Sequence, residues 1–192
     1  MFNNKLRKLI IIPAYNEMKS LDNVVNQILI HANGYDYVII NDNSSDNTQK
    51  LCEDNNFNVI NLPFNLGIGG AMQTGYKFAK LNNYDIAIQI DGDNQHDPSY
   101  LNELIAPIIS NEADFTIASR FINKEGYQSS FIRQVGIRWL SLLIKLINGV
   151  TIKDVTSGYR AANKIVIDYF CKNYPYDYPE PETLCLLGRV NI

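Results

Sequence analysis

Short apolar runs alternate with longer amphipathic stretches through most of the chain. Leu6–Ile12 reads as a strand ended by Pro13, and Tyr37–Asn41, Phe57–Leu62, Ile86–Ile90 and Asp114–Ser119 read as four more. Such runs are short for helices and have the continuous hydrophobicity of strands buried on both faces. Between them, Val24, Val25, Ile28 and Leu29 mark one face of a helix that Ser20 would cap. A short helix follows from Thr48 to about Asn55, and another runs from Gly67–Gly70 to about Leu81. Asp97-Pro98 then supplies the cap and first-turn proline of the next.

Strands and helices alternating at this spacing predict an α/β fold, its mostly parallel sheet covered by helices on both faces. Three of the strands run into polar loops, after Ile12, Ile40 and Ile90. In a parallel sheet these ends share one edge, and ligands bind in the crevice beyond it. The run Ile86–Ile90 stops at Asp91-Gly92-Asp93. Two carboxylates there suit magnesium or manganese, which complete their shells with water and substrate phosphates. The same acids would also serve as turn formers, or Asp91 as the nucleophile of a phosphatase with Asp93 as its acid. A calcium loop does not fit, because His96 stands where its sharp turn needs glycine. Gly67-Ile68-Gly69-Gly70 lacks dinucleotide-loop spacing, and no Lys-Ser/Thr follows as a P-loop requires. Those glycines either permit a tight turn with close helix packing or bring backbone against a substrate.

Composition narrows the classes. At 192 residues, 46% of them hydrophobic, residues 1–192 read as one domain with a substantial core. A net charge of −3 argues against a nucleic-acid binder relying on global charge. Cys52, Cys171 and Cys185 form neither a zinc pattern nor a disulfide framework, as suits a reducing cytoplasm. No run approaches the ~20 apolar residues of a membrane span. Met1–Lys5 leads into a strand rather than a secretory signal, so the expected location is cytoplasmic.

Four motifs now stand in order: Pro13-Ala14-Tyr15-Asn16-Glu17, Asn41-Asp42-Asn43-Ser44-Ser45-Asp46, Asn65-Leu66-Gly67, and Asp91-Gly92-Asp93-Asn94-Gln95-His96-Asp97-Pro98. Together they resemble the family 2 glycosyltransferases. The resemblance extends from Leu6 to about Leu187. It is nearest to the branch of dolichol- and polyprenyl-phosphate sugar transferases, to which Asp154–Arg160 is also similar. It implies a GT-A fold and inverting, metal-dependent transfer from a nucleotide sugar to a polyprenyl phosphate or a glycan hydroxyl. Such a reaction belongs to cell-surface polysaccharide or glycolipid synthesis. By the same resemblance, Pro13, Tyr15, Glu17 and Asp42 would hold the nucleoside, with Asn65 and Gly67 beside it. Asp91 would lie against the ribose or the metal, and Asp93 would bind the Mg2+ or Mn2+ that bridges the diphosphate. Gln95 would face the metal or the sugar. Family frequency favours a uridine over a guanosine diphosphate sugar.

The acceptor side is read from the rest of the chain. Arg120 follows the fifth strand, where its planar fork could reach a phosphate. Phe131–Asn148 predicts a helix with Val135, Trp139, Leu142, Leu143 and Leu146, interrupted by Arg133, Arg138 and Lys145. It would either join the core or lie on the inner face of an anionic membrane, with Arg133 and Arg138 toward an acceptor phosphate. Asn163–Asn173 predicts a last helix, and the three prolines and three tyrosines of Tyr174–Glu182 predict a stiff loop. Its Glu180 and Glu182 resemble acids at the acceptor end of related transferases, and Asp154 is a further candidate base. A hydroxyl acceptor needs such a base. A lipid monophosphate, with a second pKa near ~6, arrives already ionised. Relatives normally continue past the position of Ile192 through another strand, so the domain is expected to be truncated at its C-terminus or short by nature. A nucleotide-sugar-binding protein without turnover is the remaining alternative.

Overall fold

The computed structural model describes residues 6–118 and 157–190. The predicted helix Phe131–Asn148 lies outside them, as do Arg120, Arg133, Arg138 and Asp154. Strands β1 (Lys8–Ala14), β2 (Asp36–Asn41), β3 (Val59–Asn61) and β4 (Ile86–Gln89) pair in parallel. With β5 (Phe115–Ile117) and β6 (Arg160–Asn163) they form one sheet of order β3-β2-β1-β4-β6-β5. β6 runs antiparallel to both of its neighbours. The helices are α1 (Leu21–His31), α2 (Thr48–Asp54), α3 (Gly67–Leu81), α4 (Leu101–Ile109), α5 (Lys164–Phe170) and α6 (Pro179–Arg189).

The unbroken hydrophobicity of β1 follows from a core on each side of the sheet. Ile10 and Ile12 pack with Val24, Val25, Leu104 and Ile105 of α1 and α4. Leu9 and Ile11 pack with Met72 and Tyr76 of α3 and Val166 and Phe170 of α5. All four β1 residues are wholly buried, and each such side chain contributes roughly 1.5–3 kcal/mol.

Several local expectations are corrected. Pro13 does not end β1, because it pairs with Ile40 and Ala14 pairs with Asn41. Backbone groups of successive strand residues face alternate neighbours. Ile90 donates to the Ile11 carbonyl on the β4 side, and Asp42 to the Ala14 carbonyl on the β2 side. Pro13 shares the parity of Ile11, so its missing N–H faces β4, where the two strands part. Leu29 is 62% exposed: the buried stripe of α1 is Leu21, Val24, Val25 and Ile28. Ser20 does not cap α1 through its side chain, and its hydroxyl donates instead to Glu17 Oε2 at 2.7 Å. Asp97 does cap, accepting from the Ser99 amide at 2.9 Å, and Pro98 opens a short 3-10 turn that runs into α4. The loop expected over Tyr174–Glu182 becomes helical at Pro179.

Candidate active site

After β1 the chain runs outward through β2 and β3, then returns on the other side of β1 as β4. Sheets that reverse their winding in this way bind ligands at the reversal, beyond the carboxyl ends of the strands. A cleft of about 250 Å³ lies there. Pro13, Ala14, Tyr15 and Glu17 line it after β1, Asp42 after β2, and Asp91, Gly92 and Asp93 after β4, with Ile68 and Ala71 of α3 closing one side. The expected nucleotide residues Pro13, Tyr15, Glu17, Asp42 and Asp91 thus converge, and Asp93 stands with them.

Asn65 and Gly67 do not line the cleft; they shape the turn into α3. The Gly67 amide donates to Asn65 Oδ1 at 3.1 Å, and Gly67 has a φ of +72°, which only glycine adopts freely. Gly69 and Gly70 answer the open question of the glycine run in favour of packing. A Cβ on Gly69 would fall 2.1 Å from the Pro175 carbonyl oxygen, and one on Gly70 would fall 2.4 Å from Leu66 Cβ.

The loops after β1 and β2 are fastened to each other. Asn16 Oδ1 accepts from the amides of Ser45 at 2.8 Å and Asp46 at 3.2 Å, and its own amide donates to Ser44 Oγ at 3.0 Å. Asn16 and Asn43 both take left-handed backbone, which asparagine tolerates better than most residues. Asp42 is buried, and its Oδ1 accepts from the Leu66 amide at 2.7 Å.

Asp91 is held from three sides. Gln89 Nε2 donates to its Oδ1 at 2.9 Å. The Asp91 amide donates to His96 Nδ1 at 3.1 Å, so the neutral imidazole carries its proton on Nε2, 3.7 Å from Asp91 Oδ2. The imidazole stacks on Tyr159 with centroids 5.1 Å apart, and the Tyr159 hydroxyl donates to the Asp97 carbonyl at 3.1 Å. Burial pushes the Tyr159 phenol well above its usual pKa. On the third side is Gly158, where a Cβ would sit 2.4 Å from Asp91 Oδ2. Asp93 is exposed, and its Oδ1 accepts from the Gln95 amide at 3.0 Å.

Among the described residues, no group of three or more His, Cys, Asp or Glu is arranged to hold a metal ion. Two carboxylates opening on a cleft fit a magnesium or manganese ion that shares its shell with phosphates and water. They do not fit a closed protein cage.

The acceptor-side acids stand apart from the cleft lining. Glu180 is half-buried and Glu182 exposed, both in the first turn of α6, where negative charge suits the helix dipole. Sequence reasoning missed Gln89, His96 and Gly158 as supports of Asp91. Gln89 carried the clearest signal, a polar residue inside an otherwise apolar strand.

The profile of glycosyl transferase family 2 matches residues 9–170. The chain belongs to glycosyl transferase family 2. Among relatives, the UDP-N-acetylglucosamine--dolichyl-phosphate N-acetylglucosaminyltransferase of Methanococcus voltae is 36% identical over 174 residues, covering 81% of this chain and 68% of its own length. The undecaprenyl-phosphate mannosyltransferase of Micrococcus luteus is 29% identical over 162 residues, covering 81% and 66%. The chain therefore spans about two thirds of these relatives. Glucosyl-3-phosphoglycerate synthase from Mycobacterium tuberculosis, crystallised with uridine diphosphate, superposes with a TM-score of 0.72 at 18% identity. That likeness covers 97% of this chain and 67% of the other, and the shared fold is GT-A. Among the described residues of this family 2 domain, no helix is long and apolar enough to cross a membrane.

Proposed function

We propose that this domain moves a sugar, with inversion, from a nucleoside diphosphate to a polyprenyl phosphate. The observation that carries the reading is the convergence of Pro13, Tyr15, Glu17, Asp42, Asp91 and Asp93 on one cleft. Relatives named for dolichyl phosphate and undecaprenyl phosphate support the lipid acceptor. A UDP-sugar relative and a neighbour crystallised with uridine diphosphate support a uridine donor over a guanosine one. Family membership favours sugar transfer over the phosphatase alternative.

Tyr15, partly exposed at the cleft mouth, offers a ring face to the base, and Asp42 and Glu17 offer acceptors to nucleoside hydroxyls. Asp91 and Asp93 would hold Mg2+ or Mn2+, which when bound supplies Lewis-acid stabilisation of the departing diphosphate. Gln89 and Gly158 keep the Asp91 carboxylate aimed at that place. An ionised oxygen of the lipid phosphate attacks the anomeric carbon from the face opposite the diphosphate. The bond from that carbon to the diphosphate oxygen breaks, and its electron pair stays on the oxygen. One displacement inverts the centre. No proton has to be removed from the nucleophile, so Glu180, Glu182 and Asp154 are not required as bases. Arg120, Arg133 and Arg138 would position the acceptor phosphate, with the domain resting peripherally on the inner face of the membrane.

The test is transfer of labelled sugar from UDP- and GDP-sugars to short-chain polyprenyl phosphate in the presence of manganese. Label recovered in the lipid with inverted anomeric configuration supports the reading. Label recovered only in a glycan would move the acceptor to a hydroxyl.

A further inference from the structure

We propose that Arg160 and Thr183 are positioning residues that hold the first turn of α6, with Glu180, to the Ser157–Gly158 segment that packs against Asp91 of the nucleotide cleft. The proposal rests on the reading of that cleft as the donor site.

Arg160 is 2% exposed, yet it carries a guanidinium. A cation buried so fully is unfavourable unless hydrogen bonds and counter-charges replace its water. On β6 it lies directly opposite Gln89 of β4 in an antiparallel ladder. Directly opposed residues project from the same face of a sheet, so Arg160 and the residue that orients Asp91 share one side.

Two of its hydrogen bonds lead away from the sheet. Nε donates to the Ser157 carbonyl at 2.6 Å, fixing the segment in which Gly158 abuts Asp91. Nη1 donates to Thr183 Oγ1 at 2.7 Å. Thr183 is itself wholly buried, and its hydroxyl donates to the Pro179 carbonyl at 2.7 Å, with the Glu180 carbonyl at 3.1 Å. One guanidinium therefore links the backbone beside Asp91 to the first turn of α6. Burial lowers the pKa of Arg160, while Tyr174, Glu180, Tyr76 and Asp91 oppose that shift. Both the cleft carboxylate and the α6 carboxylate thus act on the same charge.

The entry to α6 needs such a hold. Tyr178, just before Pro179, has a φ of 33°, a left-handed conformation unfavourable for a tyrosine. Its side chain is 81% exposed and supplies little packing to keep it there. A leucine at position 160 would fill space with no desolvation penalty. What it could not do is make two directed bonds, to Ser157 and Thr183, from one rigid fork.

Thr183→Val keeps the volume and removes the hydroxyl, and Thr183→Ser restores the hydroxyl. Amide hydrogen exchange of α6, β4 and β6 is measured in each, with and without manganese and uridine diphosphate. Thr183→Val should speed exchange across α6 by about tenfold, the equilibrium equivalent of one hydrogen bond, while β4 and β6 stay as in wild type. Thr183→Ser should restore the wild-type rate. In sugar transfer, Thr183→Val should lower kcat by about tenfold while the donor KM stays near wild type, as for a residue acting on geometry rather than donor binding. Unchanged α6 exchange, or a uniform rise across all three elements, would overturn the proposal, as would an unaltered kcat in an active enzyme. Should wild type bind the nucleotide but transfer nothing to polyprenyl phosphate, the acceptor reading fails. The exchange contrast still decides the role of Thr183.

Discussion

The backbone amide of Leu66 donates to Oδ1 of Asp42 at 2.7 Å, tying the end of β2 to the entry of α3. Asp42 therefore has a scaffold role beside any contact with a nucleoside. Asp42→Asn keeps an acceptor oxygen and should fold nearly as well as wild type. Asp42→Ala removes the acceptor of this charge-assisted bond from the part-buried Leu66 amide, at a penalty of about 1–3 kcal/mol. At this chain length that is a loss of roughly 2–12 °C in Tm. Thermal scans of the two variants check the difference.

Asp93 is exposed, and its carboxylate accepts from the backbone amide of Gln95, two residues on. Asp93→Asn should therefore leave stability within about 0.5 kcal/mol of wild type, as for other surface substitutions. A nucleoside diphosphate at ~100 times its Kd stabilises by about 2.7 kcal/mol, or roughly 5–10 °C here. That increment should require manganese or magnesium, vanish with chelator, and be absent from Asp93→Asn. Equal stabilisation in excess chelator would contradict metal bridging.

Gly158→Ala probes the aim of Asp91. The new methyl would start 2.4 Å from Oδ2, so the carboxylate must swing off Gln89 or β6 must shift. Misplacing one carboxylate should weaken metal-dependent nucleotide binding by about tenfold or more, the scale of a lost charge-assisted hydrogen bond. Calorimetric titration with uridine diphosphate and manganese measures it. Full affinity would mean that Asp91 need not be held.

The acceptor class separates two further variants. For a lipid phosphate, Arg133→Gln should lower transfer more than it lowers nucleotide binding, and Glu182→Gln should keep substantial transfer. For a hydroxyl acceptor the order reverses, since losing a general base lowers the rate by ~10²–10⁴-fold. Transfer assays on both variants, with nucleotide affinity measured alongside, distinguish the cases.

The strands that end in the cleft were legible because each is a short apolar run stopped by polar residues, and parallel pairing forces those ends together. β6 was not. Arg160-Ala161-Ala162-Asn163 has no β-branched or aromatic residue and no alternation, and its place depends on pairing with β4 and β5. The helix α6 was hidden by its prolines. Pro179 sits in the first turn, where a missing N–H leaves no bond unmade, and Glu180 and Glu182 favour the positive helix end. Ser20 illustrates the converse error: a good capping residue that turns its hydroxyl to Glu17 instead. Asp91 was visible as a candidate ligand, but the residues that aim it come from sequence positions far apart. No local pattern announces that Gly158 must lack a side chain to make room for Asp91.

Pro13 has no N–H on the side where β1 and β4 separate. Past Ile90, Pro13 therefore offers β4 no donor that could draw it back onto β1. The gap is built into the covalent chain, and an arriving nucleotide has no sheet bonds to break before it can enter. Binding should accordingly proceed as docking to a ready-made socket, with association limited by encounter and little change in backbone protection at Ile90 and Asp91. Any other residue at position 13 would restore a donor there, and with it a way for β1 and β4 to pair one step further.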